Sequence, residues 1–532
     1  MNWIKSLFKN REQKAIMVWE TEDSILDFLK NNIQVDGSLS DAAYTLPDED
    51  KTDDEIKFAP GLLDALVGAD SSEKSKSRIK VLVKLITRIA QKGDAQSKSD
   101  FYKEVTENES VIGVIDEFLE QLVERSLPIE PHLYHYANSL ATKTKNRDAV
   151  KFGIAMLGLC QNKEPVEDLR VLGLHDEFTL FSSVALLNLS DDLVNDLWHL
   201  AKQVDGWGRI QLVERLVKLE LTDEIRDWLV LEGYRNEILY EYLALTCAQN
   251  GLLNEKLKRD TISNDLFVSA GEIIVALMDE GPARGMSGYL EAPETLENYV
   301  QHAKVQDLSI VDFMNLHRIK DYLEDAPGKV ETLKHWKQDE LSDLLIDIST
   351  VLHSQDWTAE VYRGLQSADS FEYWNAKQAA NKLGIEIWET VWSKLKQNPL
   401  DFSLWYDVTT NAQGGAVEEV IDFALNHLPL DELGTGPKDS LGFGDDFQKH
   451  SALESVITLL ADYPGKGEAL ILVGLDSPTT RNRNIAIRVL DKWKAGNWSV
   501  EITEKINRLR EIEPNENTKE NIERLLTGQK LA

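Results

Sequence analysis

The chain of 532 residues contains little cysteine, proline or glycine: two Cys, 14 Pro and 30 Gly. So few cysteines exclude a disulfide framework, and so little proline and glycine excludes a collagen-like or wholly disordered chain. Long hydrophobic runs are also missing, because no window of 18 apolar residues occurs, so no transmembrane segment is predicted. These absences favour a globular protein, which we expect to be cytoplasmic, with Cys160 and Cys247 as buried thiols.

Basic residues are in short supply, with 58 Lys and Arg against 91 Asp and Glu and a net charge of −33. A chain this acidic repels polyanions, so we do not expect nucleic acid or an anionic membrane as its main partner. The charge also keeps the protein soluble.

The first eleven residues differ from this acidic background. Apolar and basic side chains fall on opposite faces of a helix there: Trp3, Ile4, Leu7 and Phe8 against Lys5, Lys9 and Arg11. The pattern predicts an amphipathic arm that docks on the protein's own body or in a partner groove, with weak contact to a membrane surface as the alternative.

A helix is predicted over Ile25 to Ile33, with Thr21 or Asp23 as its N-cap. Eight acidic residues and few large apolar ones between Asp36 and Lys57 then predict a flexible, solvated linker. From residue 59 onward, apolar residues recur at helical spacing in segments divided by short turns. We therefore predict five sections: an N-terminal helical arm (1–35), an acidic linker (36–58), a helical repeat section (59–280), an aromatic-rich repeat section (281–428), and a Gly-rich loop with C-terminal repeats (429–532).

Roughly 40 residues per predicted helix pair is the period of HEAT and armadillo repeats. The stretch from Ala469 to Leu490 resembles one HEAT unit: an apolar helix, an Asp476-Ser477-Pro478 turn, and a second helix that follows Arg481. This resemblance implies an all-α fold, an α-solenoid of antiparallel helix pairs. Such arrays bind partners along their concave face.

Complete catalytic, metal and cofactor motifs are missing. His132 and His135 form a close pair without a third ligand at motif spacing, and Asp196 with His199 only imitates the carboxylate–histidine pattern of di-iron bundles. We therefore name no catalytic residue, no metal ligand and no cofactor, and expect that the protein is not an enzyme.

Aromatic residues are concentrated in one place, with ten between Trp357 and Tyr406. Large aromatics give the most contact energy per residue at interfaces, although a position in the core is the alternative for all of them. The candidate partner-binding residues are four aromatic anchors and two residues of a Gly-rich loop at their rim: Trp357, Tyr373, Trp374 and Trp405, with Arg284 and Tyr289.

A second resemblance concerns the middle of the chain. The segments 225–229, 240–248, 284–289 and 320–323 resemble firmicute proteins labelled limonene hydroxylase. The resemblance implies a monooxygenase, yet the chain has no haem-thiolate, flavin or di-iron motif to support one. The sequence therefore favours a non-enzymatic scaffold that binds a protein or peptide, with a limonene hydroxylase-like monooxygenase as the alternative.

Overall fold

A computed structural model describes residues 19, 23–49, 73–107, 112–129, 131–281, 283–325, 336–442 and 444–531. These residues form 28 α-helices and no extended strand, only the isolated bridges Ile33–Leu39 and Ser440–Thr479. The predicted all-α class is confirmed. Every helix in the described ranges is too short or too polar to cross a lipid bilayer.

The chain divides into two compact units, one of Met1–Asp307 with Asn315–Leu352 and one of Leu308–Met314 with His353–Ala532. The helices up to the point of division are α1 (Ile25–Lys30), α2 (Glu73–Lys92), α3 (Ala95–Thr106), α4 (Ile112–Glu124), α5 (His132–Lys143), α6 (Arg147–Leu157), α7 (Val166–Leu172), α8 (Asp176–Leu189), α9 (Leu193–Gln203), α10 (Gly206–Leu216), α11 (Asp223–Trp228), α12 (Glu241–Asn250), α13 (Leu253–Leu257), α14 (Asn264–Met278) and α15 (Ala292–Ala303). A π-helical turn, Leu229–Gly233, continues α11.

Helix α16 (Ile310–Asp325) has residues in both units, and α17 (Gln338–Leu352) completes the first. The second unit continues with α18 (Thr358–Gln366), α19 (Ser370–Leu383), α20 (Trp388–Gln397), α21 (Ser403–Asn411), α22 (Ala416–His427), α23 (Leu430–Leu433), α24 (Gln448–Leu460), α25 (Glu468–Leu475), α26 (Thr480–Trp493), α27 (Val500–Ile512) and α28 (Glu516–Thr527).

The first helix begins at Ile25 as predicted, but its N-cap residue and its length differ from the prediction. Ser24 caps α1, because its hydroxyl accepts the Asp27 amide at 3.1 Å, so the predicted caps Thr21 and Asp23 are wrong. The helix ends at Lys30 instead of Ile33, which pairs with Leu39 in a short bridge. Residues 1–18 of the predicted arm lie outside the described residues.

The acidic segment that was predicted to be a flexible linker is packed over residues 36–49. Leu39, Ala43 and Leu46 are buried there, and the Asp48 carboxylate accepts from the Arg147 guanidinium at 3.0 Å. Three apolar side chains and the ion pairs of Asp48 and Glu49 with Arg147 therefore order a stretch whose composition predicts solvation. The remaining residues of the linker, 50–58, lie outside the described residues.

Within the first unit, helices pack against their chain neighbours and against the next helix but one. The helices α6, α8, α10, α12 and α14 contact each other in succession, and α5 lies against α6. Gly153 allows the α5–α6 contact, since a Cβ there would lie 2.5 Å from the Ala141 amide nitrogen. Phe101, Phe118 and Phe152 interlock edge to face or tilted at this end of the core.

The second unit repeats this local pattern. The helices α21, α24, α26 and α28 contact each other in succession, and so do α23, α25 and α27. Arg483 of α26 is completely buried and donates to both carboxylate oxygens of Glu513, at 2.7 and 2.5 Å. Its guanidinium also donates to the Ser477 carbonyl, so one side chain ties the α25–α26 turn to the end of α27.

Candidate functional site

The candidate anchors Trp357 and Trp405 lie in the core of the second unit. Trp357 is 2% exposed, and its ring centroid lies 4.7 Å from that of Phe313. Trp405 has no accessible surface, and its indole N–H donates to the Pro399 carbonyl at 3.1 Å. Because side chains without accessible surface offer a partner no contact area, the prediction that these two tryptophans bind a partner is corrected: they stabilise the core.

Tyr373 is half-buried and held in one position. Its hydroxyl donates to the buried Asp407 carboxylate at 2.8 Å, Lys377 pairs with the same carboxylate, and Lys394 Nζ lies 4.3 Å from the ring centroid. Burial, and then the charge of Asp407, raise the pKa of the Tyr373 phenol above its usual range. The tyrosine is thus a fixed, neutral ring between two cations.

The fourth anchor, Trp374, is accessible. It is 45% exposed, and Phe371 on the same helix is 49% exposed. Residues three apart are neighbours on a helix surface, so these rings lie side by side on α19. We call Phe371 and Trp374 the aromatic face.

The two rim residues belong to the first unit and differ in accessibility. Arg284 is exposed, whereas Tyr289 is 2% exposed and its hydroxyl accepts from Thr295 at 3.1 Å. Burial raises the pKa of Tyr289 to about 12. The Glu280 carboxylate accepts the amide of Ser287 at 2.7 Å and so fastens the loop. Tyr289 is therefore a core residue, which corrects its assignment to a binding rim.

A groove of about 320 Å³ lies in the first unit between α15 and α17. Its apolar lining consists of Pro293, Trp336 and Leu344. Its polar lining consists of five carboxylates: Glu294, Glu297, Glu340, Asp343 and Asp347. We call this site the acidic groove.

Three of these carboxylates have lysine partners at the edge of the groove. Lys258 Nζ lies 3.0 Å from Glu294, and Lys304 Nζ lies 2.8 Å from Asp347. Hydrogen bonds from Asn254 and Lys258 lower the pKa of Glu294, and the bond from Lys337 likewise lowers the pKa of Glu340. Glu294 and Glu340 therefore stay ionised at neutral pH.

The other two carboxylates, Glu297 and Asp343, have no ion-pair partner among the described residues. Both are exposed, one on each of the two helices that form the groove. An excess of negative charge between two helix walls attracts cations, and the Trp336 indole offers a face on which an ammonium or guanidinium group can stack.

Part of this site is visible in the sequence. Glu294 and Glu297 are three apart, and Glu340, Asp343 and Asp347 follow at helical spacing, so each set lies on one helix face. The sequence reasoning missed the site because nothing in the pattern indicates that α15 and α17 pack together.

The Asp196–His199 motif does not form a catalytic pair. Asp196 accepts from Arg170 Nε at 2.9 Å and from the Ser190 hydroxyl at 2.6 Å, which engages both of its oxygens. The His199 side chain is mostly exposed, and partial desolvation, followed by the charge of Lys202, lowers its pKa. Asp196 therefore acts as the partner of an arginine.

The remaining chemistry-bearing groups are in the interior. Cys160 and Cys247 are buried, as predicted, and burial raises the pKa of the Cys247 thiol above its usual range. Among the described residues, no three His, Cys, Asp or Glu side chains form a group that could hold a metal ion.

No protein-family model, no curated protein and no solved structure matches this chain. The resemblances to a HEAT unit and to proteins labelled limonene hydroxylase therefore stay predictions.

Proposed function

We propose that the protein is a non-enzymatic scaffold of HEAT-like helix pairs, an α-solenoid, that binds a protein partner through a basic segment of that partner. The succession of contacts α6–α8–α10–α12–α14 in the first unit and α21–α24–α26–α28 in the second supports a repeat architecture. Free buried thiols and the absence of a disulfide among the described residues support a cytoplasmic location.

The acidic groove carries this proposal. Glu297 and Asp343 supply uncompensated charge, whereas Pro293, Trp336 and Leu344 supply an apolar floor. Lysine and arginine side chains match both features, because their alkyl stems pack on apolar surface and their charged ends reach carboxylates. A net charge of −33 adds long-range attraction for such a partner.

The aromatic face of α19 is a second contact surface under the same proposal. Phe371 and Trp374 retain about half of their surface in water, while their neighbour Tyr373 is fixed by Asp407. Rigid, accessible aromatic residues of this kind are typical interface anchors.

The experiment measures binding of a fluorescein-labelled peptide of alternating lysine and leucine by fluorescence anisotropy. The test variant is Glu297→Gln with Asp343→Asn, and the matched control is Glu117→Gln with Glu120→Gln on α4, two exposed carboxylates outside the groove. Both variants lose two negative charges, so they separate the site from the general field of the protein.

We expect the groove variant to weaken binding about tenfold, equivalent to about 1.4 kcal/mol, and the control variant to weaken it less than about twofold. A peptide of alternating lysine and serine should bind more weakly than the lysine–leucine peptide, because it cannot cover the apolar floor. If the two variants weaken peptide binding equally, the affinity depends only on the net charge of the protein, and the acidic groove is not the binding site.

A further inference from the structure

A cavity of about 490 Å³ lies in the second unit, between α23, α25 and α27. Its floor is apolar, because Leu430, Leu472 and Val473 line it. All three side chains are only half-buried, so a partner can contact them. We call this cavity the α25–α27 groove.

Helices α25 and α27 run in the same direction along the groove. At their starts, the Ser499 hydroxyl donates to the Glu468 carboxylate. At the end of α25, Lys505 of α27 pairs with Asp476. The charges of Lys505 and Asp476 compensate each other, so this pair holds the two helices together and leaves no net charge for a partner.

Four other charged side chains line the groove and have no ion-pair partner among the described residues: Asp431, Glu501, Glu504 and Arg508. All four are exposed. The three on α27 are ordered along the helix, with both carboxylates before the guanidinium. Seven residues separate Glu501 from Arg508, a distance of about 10 Å along the helix axis. This wall of the groove is therefore negative at one end and positive at the other.

A helix matches this arrangement better than an extended segment does. Residues seven apart on a helix share one face and lie about 10 Å from each other, and the residues three and four positions after the first lie between them on that face. An extended chain covers the same distance in three residues, but residues three apart then point to opposite faces. Only the helix presents two charges and an apolar residue between them to the groove together.

The size of the cavity sets how deeply such a helix enters. Two helical turns are about 11 Å long and about 10 Å across, which exceeds the volume of the cavity. The side chains of one face therefore fill the groove while the helix backbone stays above it. Apolar side chains in the middle of that face meet Leu472 and Val473.

We propose that the α25–α27 groove binds an amphipathic helix of a partner protein, with an acidic and a basic residue seven positions apart and leucine-like residues between them. The acidic residue pairs with Arg508, and the basic residue pairs with Glu501 and Glu504. The groove thus selects a partner by the spacing of opposite charges, whereas the acidic groove selects positive charge. The two sites share no residue, so this inference does not rest on the proposed function.

The test uses the full chain and an alanine-rich, fluorescein-labelled peptide that a lactam bridge on its outer face holds helical. Its inner face carries a glutamate and an arginine seven residues apart, with two leucines between them. A control peptide of the same composition has the glutamate and the arginine next to each other, so it cannot contact both ends of the groove. We expect fluorescence anisotropy to show binding of the first peptide, and binding at least about fivefold weaker for the control peptide.

Two protein variants identify the site. Arg508→Glu reverses the positive end of the groove, and Arg488→Glu on α26 is its matched control, because Arg488 is also exposed and has no ion-pair partner among the described residues. Both variants change the net charge of the chain equally. Arg508→Glu should weaken binding about tenfold, because an attraction becomes a repulsion, and Arg488→Glu should weaken it less than about twofold.

A charge-reversed peptide shows that the Arg508→Glu variant is folded and that its groove is intact. This peptide has arginine in place of its glutamate, and it should bind Arg508→Glu at least about fivefold more tightly than Arg488→Glu. Glu297→Gln with Asp343→Asn, in the acidic groove, should bind the first peptide within about twofold of the wild type. The proposal is overturned if the first peptide does not bind, if both peptides of equal composition bind equally, if the two arginine variants behave alike with either peptide, or if the acidic-groove variant weakens binding.

Discussion

The aromatic-rich section of the second unit and the acidic groove of the first differ in where their most unusual residues lie. Between Trp357 and Tyr406 the chain concentrates aromatic residues, yet Trp357, Trp392 and Trp405 are buried. In the groove, by contrast, Glu297 and Asp343 come from helices distant in sequence and remain in water. Local composition therefore predicts which residues are unusual but not which of them a partner can reach, because accessibility depends on packing.

The largest expected effect tests the buried side of this comparison. Trp405→Ala should lower the free energy of unfolding of the second unit by about 3–5 kcal/mol, because it removes a fully buried indole. Trp374→Ala should lower it less, by about 1–2 kcal/mol, because that side chain is 45% exposed and has less buried surface to lose. Urea unfolding followed by circular dichroism compares the two, and equal losses would place Trp374 in the core as well.

A smaller loss of stability is expected at the hydrogen bond between Tyr373 and the buried Asp407 carboxylate. Tyr373→Phe removes the hydroxyl that donates to Asp407, a carboxylate only 5% exposed, and should cost about 1–3 kcal/mol. Tyr362→Phe is the control, since its hydroxyl donates at 3.4 Å to an exposed carbonyl. The same urea experiment measures both, and a control loss as large as that of Tyr373→Phe would contradict the role of Asp407.

A buried carboxyl of the first unit provides a contrast to the exposed ones of the groove. Burial raises the pKa of the Asp176 carboxyl well above its usual value of 3.8. The folded state therefore binds the proton more tightly than the unfolded state, and the stability due to this group is lost as pH rises above 3.8. Asp176→Asn cannot ionise, so we expect it to unfold at a higher temperature than the wild type at pH 7.

The difference in melting temperature between Asp176→Asn and the wild type should shrink as pH falls towards the unfolded pKa of 3.8. Thermal scans across this pH range measure it. A difference that does not depend on pH would show that the side chain acts through its hydrogen bonds and not through its charge.

The smallest effect on stability is expected in the acidic groove. Glu297→Gln with Asp343→Asn should leave the free energy of unfolding unchanged within about 0.5 kcal/mol, because both groups are exposed and unpaired among the described residues. Added salt should weaken binding of the lysine–leucine peptide to the wild type more than to this variant, since screening acts on the charges that the variant lacks. Equal salt dependence would place the binding charges elsewhere.

The sequence predicted some features of the fold well and others poorly, for physical reasons. From residue 59 onward the helical spacing of apolar residues predicts helices, and in α2 the residues at this spacing, Ile79, Leu82, Ile86 and Ile89, are buried, because residues three and four apart share one helix face. The prediction failed over residues 36–49, where Leu39 and Leu46 are buried by contacts distant in sequence. For the same reason, the sequence pattern does not distinguish Trp357, Trp405 and Tyr289, which are buried, from binding residues.

The sequence by itself determined the helical class, the two inert thiols and the acidic charge of this protein. Those properties depend on composition and on spacing within one helix, where the interacting residues are at most a few positions apart. Only the tertiary structure decided that Glu297 and Asp343 line one groove, that Trp374 is partly exposed and that Arg483 pairs with Glu513. Each of these depends on which helices pack together. Helix packing is determined by many weak contacts between residues distant in sequence and not by any local pattern.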